Sequence, residues 1–278
     1  MKHPKYAVNL SILFTELPLL ERPAAARAAG FDAAEFWWPF AEAVPGDAEV
    51  DGFVSALADA GLALVGLNFY AGDMPGGQRG ILSLPGRSAE FRDSVAVLAG
   101  IAERTGCRGF NALYGQRVGG VAAEEQDAIA TENLVHAAAA VRPLGGTVLI
   151  ESLTEGENGP YPLLTAADSA AVCDRVREAD PRASPAVLFD AYHLANNGED
   201  LHAVIETYAD RIGHVQIADR PGRHQPGTGE TDFPALFAKL AEHGYDGYVA
   251  CEYKPDGPSA DSFGWLPAEH RASGAGKG

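Results

Sequence analysis

"YAVNLSILFTELP" (6–18) is the stretch on which the fold turns. Its first six residues read as a short apolar β-strand, and they run straight into "SILFTELP" with no glycine-rich turn. A doubly wound sheet that binds a dinucleotide needs such a turn after its first strand, because the backbone must approach a pyrophosphate closely. That fold is therefore disfavoured at the outset. Seven further β-like runs follow: "AAEFWW" (33–38), "LALVGLNF" (62–69), "RGFNALYG" (108–115), "TVLIESL" (147–153), "PAVLFDAYHL" (185–194), "IGHVQIAD" (212–219) and "GYVACEY" (247–253). Alanine-rich amphipathic segments separate them, and several close on a glycine (Gly30, Gly61, Gly106, Gly145, Gly244), the usual helix stop.

The runs are apolar almost throughout, as in a parallel sheet covered by helices on its outer face. Eight such units in 278 residues predict α/β architecture: a single (β/α)8 barrel over 1–269, followed by a small polar tail, 270–278, read as disordered. The Gly/Pro-rich insert 70–88 is long for a strand-to-helix loop and is expected to cover the mouth of the barrel. The net charge of −17 argues against nucleic acid or an anionic membrane as partner, since a field of that sign repels both. No apolar run is long enough for a membrane-spanning helix. Three widely spaced cysteines (Cys107, Cys173, Cys251) fit reduced thiols, and with no secretory pattern at the start the expected location is cytoplasmic. The aromatic "FWWPF" (36–40) is a candidate contact in a homo-oligomer.

In such a barrel, polar residues at the C-terminal ends of strands face the active site. Those ends offer Glu151, Asp190 with His193, Gln216, and Glu252, from the fifth to eighth strands, which are neighbours in space. A buried charge in apolar sequence needs compensation. Three carboxylates and one amide oxygen make an all-oxygen ligand set, suited to one Mg2+ or Mn2+, with Co2+ as a substitute. Any one of these groups alone is as well explained by an ion pair, and Gln216 alone by a satisfied core amide; the set at successive strand ends is what carries the metal reading. His193 is assigned to a hydrogen bond with a substrate oxygen or a ligand, not to the metal.

Several segments, among them "SLPGR", "YHLANNGEDL", "GHVQIADRPGRHQPGTGE" and "GYVACEYKP", resemble the hydroxypyruvate isomerase family of xylose-isomerase-like TIM barrels. The family group also holds 2-oxo-tetronate isomerases and ketose 3-epimerases. The resemblance implies a divalent metal held by Glu151, Asp190, Gln216 and Glu252, with Glu151 and Glu252 also serving as acid and base. It further implies the interconversion of hydroxypyruvate and tartronate semialdehyde (2-hydroxy-3-oxopropanoate) through an enediolate, and a role in glyoxylate metabolism. A 2-oxo-tetronate isomerase or ketose 3-epimerase with the same metal and a longer substrate is the alternative. Two stretches depart from the family pattern, "GLNFYAGDM" (66–74) and "SLTEGENGPYPL" (152–163), and both border the expected substrate pocket.

A small hydroxy-oxo acid has a carboxylate to hold. Arg223 is the first choice because a guanidinium fork matches a carboxylate; Lys254 and His224 are lesser ones, and Arg220 reads as a surface ion pair. Phe14, Trp37, Trp38, Phe69 and Trp265 are candidates for the pocket wall, with plain packing as the competing role. Asn68 and Glu35 are candidates for polar contacts at the mouth. Cys251 should point away from the interior by strand alternation and is not read as a nucleophile. Two other classes stand against the isomerase. A phosphoesterase of endonuclease type would want several zinc ligands and a basic face; a binding protein without catalysis is weakened by the presence of both glutamates.

Overall fold

The computed structural model describes residues 4–273. Eight parallel strands close into a barrel in chain order: β1 Lys5–Asn9, β2 Ala33–Phe36, β3 Ala63–Asn68, β4 Gly109–Asn111, β5 Thr147–Glu151, β6 Ala186–Asp190, β7 Ile212–Ile217 and β8 Tyr248–Cys251. Closure is through β1 and β8, with Tyr6 beside Val249 and Val8 beside Cys251. The helices α1 Arg22–Ala28, α2 Asp47–Ala60, α3 Ser88–Thr105, α4 Ala123–Val141 and α5 Ala166–Ala179 follow the first five strands in turn. The sixth unit carries two helices, α6 Ala191–Asn196 and α7 Leu201–Tyr208, and α8 Phe233–Glu242 completes the seventh. No helix of the described residues is long and apolar enough to cross a membrane.

Strand alternation sorts the residues into two populations. Tyr6, Val8, Phe36, Val148, Ile150, Val187, Phe189, Val215 and Cys251 belong to the large core between barrel and helices. The alternate positions face the barrel axis. At its base Ala7, Ala33 and Ala250 form a separate small cluster with Val65 and Tyr248. One residue pair further up the same strands, the inward positions become Asn9, Glu35 and Glu252, all buried. The barrel interior is thus apolar below and polar above.

Side-chain caps fix the helix starts. In α5, Thr165 accepts from the Asp168 amide at 3.1 Å while Asp168 accepts from the Thr165 amide at 2.9 Å, a reciprocal capping box. Asp200 and Asp232 cap α7 and α8. One cap overturns an expectation. "PAVLFDAYHL" does not run as strand to residue 194: β6 ends at Asp190, whose Oδ1 accepts from the amides of Tyr192 (2.8 Å) and His193 (3.0 Å) and starts α6. A carboxylate placed to receive two amides favours the helical turn over further strand. The run 108–115 likewise keeps only three residues of strand. Of the tail, Arg271 donates to the Ala29 and Phe263 carbonyls and Ser273 donates to Asp32, while 274–278 lie outside the described residues.

Candidate active site

The polar layer at the top of the barrel is built by the strand ends: Asn9 from β1, Glu35 from β2, Asn111 from β4, Glu151 from β5, Asp190 from β6, Gln216 from β7, and Glu252 just after β8, each buried. It divides into two halves. The first centres on Glu35, whose side chain has room because β3 carries Gly66 beside it; a Cβ there would sit 3.0 Å from the Glu35 side chain. Its carboxylate accepts from Asn9 Nδ2 (2.8 Å), Gln216 Nε2 (2.7 Å) and His214 Nε2 (2.6 Å). Burial alone would raise its pKa, but the His214 charge and these three hydrogen bonds outweigh it and hold the group below the usual range.

A carboxylate only accepts hydrogen bonds, so Glu35 fixes the orientation of the Gln216 amide: nitrogen toward Glu35, oxygen away. That oxygen, Oε1, is buried and has no donor among the described residues. An orphan buried acceptor costs about 1–3 kcal/mol unless something else engages it.

The second half holds Glu151, Asp190 and Glu252. Asn111 Nδ2 donates to Glu151 Oε2 at 2.6 Å. Glu252 Oε1 accepts from Trp37 Nε1 (2.6 Å) and Asn9 Nδ2 (3.0 Å), and its Oε2 accepts from Arg223 Nη2 at 2.7 Å. The same Nη2 lies 4.0 Å from Asp190 Oδ2. Burial raises all three pKa values; Glu252 and Asp190 press further on Glu151, which lies well above the carboxylate range. Glu252 is pushed up to about 8, although Arg223 opposes the shift. This half is short of positive charge.

Donor atoms of Glu151, Asp190 and His193 all lie within 4.8 Å of one another, close enough to share an ion. The hydrogen bonds of His193 argue for another role. Its Nδ1 accepts from the Thr154 backbone amide at 3.0 Å, so the proton of the neutral ring is on Nε2. Burial, with Arg223 and Arg79 adding to it, holds the imidazole neutral by pushing its pKa well down. His193 therefore presents an N–H toward Glu151 (3.8 Å) and Asp190 (3.9 Å), a donor rather than a ligand. With His193 set aside, three carboxylates and the orphan Gln216 oxygen fit a hard divalent cation.

A cavity of about 720 Å³ opens above this layer. Glu151, Glu252, His193, Arg223 and Asn68 line it; Asp190 and Gln216 are buried and are not among its lining residues. Phe14, Lys254 and Trp265 are not brought there, and each has a physical reason. Phe14 packs its ring 6.0 Å from that of Phe263, and its amide is taken by Ser259. Lys254 is exposed, and it is its backbone that holds the neighbouring loop, the amide donating to the Arg223 carbonyl at 2.7 Å. Trp265 lines a different, apolar cavity of about 560 Å³ with Tyr6 and Phe237. Phe69 is likewise behind the barrel wall, against Phe91 and Phe110. Trp37 and Trp38 do line the main cavity, with Phe40 and Tyr70.

Two loops finish the site. After β7, Asp219 is fully buried and receives the amides of Arg220, Gly227, Gly229 and Thr231 at 2.8–3.1 Å. That knot holds the segment bearing Arg223, whose backbone is left-handed (φ 62°) and whose guanidinium lies 5.4 Å from the Tyr192 ring centre. The insert 70–88 covers the mouth as expected, placing Tyr70, Met74 and Arg79 in the cavity wall. Arg79 was missed in the sequence because its partner Asn158 is 79 residues away.

Residues 23–269 match the family model described as xylose isomerase-like TIM barrel. A protein of Streptomyces coelicolor named "Putative hydroxypyruvate isomerase" is 54% identical over 97% of this chain and 98% of its own length. The chain belongs to the hydroxypyruvate isomerase family of xylose isomerase-like barrels. The 2-oxo-tetronate isomerase of Cupriavidus necator is 35% identical (95% of this chain, 97% of that protein), and the hydroxypyruvate isomerase of Escherichia coli K12 is 32% identical (94% and 98%). Like these relatives the chain is an isomerase. Among solved structures, an AP endonuclease, family 2, from Brucella melitensis superposes with a TM-score of 0.85 at 35% identity, covering 95% of this chain and 98% of that one.

Proposed function

We propose that this isomerase interconverts hydroxypyruvate and tartronate semialdehyde, with Glu151 and Glu252 as the acid/base pair. The observation that carries this is the pairing of two buried glutamates, both with raised pKa values, in the wall of one cavity beside an orphan amide oxygen. Glu151, Asp190, Gln216 and Glu252 would hold one Mg2+ or Mn2+, with Co2+ as a substitute. Such an ion, when bound, supplies Lewis acidity that stabilises negative charge developing on the substrate oxygens.

The rest is done by side chains. One glutamate, ionised, takes the proton from the hydroxyl-bearing C3, giving an enediolate; the other, protonated, returns a proton to C2, while the hydroxyl proton passes from O3 to O2. The roles exchange when the reaction reverses. Environments that lift carboxyl pKa values toward neutrality suit a pair of which one member must donate. His193 offers its Nε2 proton to a substrate oxygen. Trp37 and Asn9 hold Glu252 in place through its Oε1. Asn68 and Arg223, also on the cavity wall, complete the proposed substrate contacts. We place the enzyme in the cytoplasm and in glyoxylate metabolism, acting as a homo-oligomer.

Metal-stripped protein should be inactive on hydroxypyruvate, regain turnover with Mg2+ or Mn2+, and lose it again in Glu151→Gln and Glu252→Gln. Metal binding by calorimetry without turnover of hydroxypyruvate would move the substrate elsewhere; no metal binding would end the reading. The cavity size favours a second reading, since about 720 Å³ is more room than a three-carbon acid requires. A 2-oxo-tetronate with a higher kcat/KM than hydroxypyruvate would establish it, and a ketose preferred over both would point to 3-epimerisation. DNA cleavage gains no support from a chain of net charge −17.

A further inference from the structure

Arg79 is a cation in the cavity wall with no anionic partner among the described residues. Its Nε donates to Asn158 Oδ1 at 2.9 Å, and its Nη1 donates to the carbonyls of Met74 (3.0 Å) and Gln78 (2.8 Å). All three acceptors are neutral, and among the described residues Nη2 makes no hydrogen bond. The charged group that bears on it is Arg223, of the same sign; repulsion from it and, first, burial push the Arg79 pKa down. The carboxylate of Asp73 lies in the same loop but accepts from the Gly76 amide at 2.8 Å. Arg223 differs from Arg79 in being engaged already by Glu252. Arg79 is thus a half-buried arginine in the cavity wall whose side chain, among the described residues, has no carboxylate partner.

The backbone helps to place it. Gly80 follows at φ 102°, and a Cβ there would run into the carbonyl of Leu113, two residues beyond β4, so the chain passes tight against the barrel rim. Asn158, itself buried, is tied through Nδ2 to the Thr154 carbonyl, on the same turn whose amide fixes His193. Arg79 and His193 are thus positioned from one loop.

We propose that Arg79 is the anchor for the carboxylate of the substrate, and that it sets a preference for oxo acids over neutral ketoses. The proposal rests on the oxo-acid reading above. With Nε and Nη1 held by an amide oxygen and two carbonyls the guanidinium is pre-oriented, so Nη2 meets a carboxylate oxygen without further ordering. It acts by binding and not on the reacting carbons.

Hydroxypyruvate and dihydroxyacetone differ only in a carboxylate against a hydroxymethyl group, and D-glycerate keeps the carboxylate but has no carbonyl to isomerise. Arg79→Gln and Arg79→Met are expected to raise KM for hydroxypyruvate and Kd for D-glycerate by about 10- to 100-fold, the loss of one charged hydrogen-bonding group. Turnover of dihydroxyacetone should stay within about twofold on the same scale, and Arg79→Lys should restore part of the affinity. Glycerate binding is read by fluorescence of Trp37 and Trp38, independently of catalysis. Equal losses for acid and neutral ketose in both variants, or no loss for either, would overturn the Arg79 assignment. Wild-type enzyme that neither turns over hydroxypyruvate nor binds D-glycerate overturns that assignment together with the function it rests on.

Discussion

Glu35 and Glu151 are the same residue, buried to 3% and 4% exposure in the same layer of one barrel, yet their pKa values move in opposite directions. Burial penalises both. What separates them is company: Glu35 has a histidine and two amide donors, whereas Glu151 has two more carboxyls and one amide. One half of the layer is electrostatically balanced by its own side chains; the other gathers three carboxyls around one guanidinium and an orphan amide oxygen, the set proposed above to take a cation. Desolvation alone therefore does not mark an active site, and an unbalanced set of charges does.

The largest expected effect tests the unbalanced half. Glu151→Gln and Glu252→Gln should each lower kcat at least about 10³-fold, the scale of a lost general acid or base, with the circular dichroism spectrum unchanged. Residual turnover near the wild-type level in either variant would remove that glutamate from the chemistry. The balanced half should respond in stability instead. Glu35→Leu strands His214, Asn9 and Gln216 together and should cost about 3–5 kcal/mol in urea unfolding. Glu151→Gln, by relieving repulsion, should leave metal-free protein as stable or more so.

Metal distinguishes the halves a third way. At a hundredfold excess over Kd, Mn2+ should stabilise the wild type by about 2.7 kcal/mol, and chelation should reverse it. Gln216→Leu should weaken this shift, because it removes the oxygen that Glu35 aims inward. The smallest effect is in the pH profile of metal-free protein. Glu35, with a depressed folded pKa, contributes stability above its unfolded pKa of about 4.3, lost as pH falls through the lower folded value. Glu252, raised to about 8, has the opposite sign: its protonated form is favoured on folding, so stability should decline as pH rises from about 4.3 toward 8. Metal should flatten the second slope and leave the first. His193, with its depressed pKa, adds stability as pH rises to about 6.5, so the test lies above that: a metal-free profile that instead rises from there to pH 8 would contradict the charge account of this half.

Much of this was legible in the sequence. Eight apolar runs, separated by amphipathic segments of which several close on a glycine, specified the barrel, and charged residues in apolar strands marked β5, β6 and β8. Inward Glu35 was readable too, since Ala33 and Glu35 share a face, but without a third dimension its partner His214, 179 residues away, could not be assigned. The end of β6 was misjudged because Asp190 has two uses, as a wall group and as a helix cap. Phe14 and Trp265 show why aromatic residues near strand ends are poor guides: packing against Phe263 and Tyr6 uses the same chemistry as lining a pocket. Arg79 lay in an insert whose composition said only that it was a loop.

Asp219 gathers four amides of the β7–α8 loop onto one buried carboxylate. The outer edge is tied separately: His224 Nδ1 pairs with the Lys254 carbonyl (2.8 Å), Gln225 Oε1 accepts from the Asp256 amide (3.2 Å), and Thr228 Oγ1 donates to the Gln225 carbonyl (2.7 Å). Two of those ties join the loop to the segment after β8, so a change in one loop would be felt by the other, while the four amides on Asp219 still hold the stretch that bears Arg223.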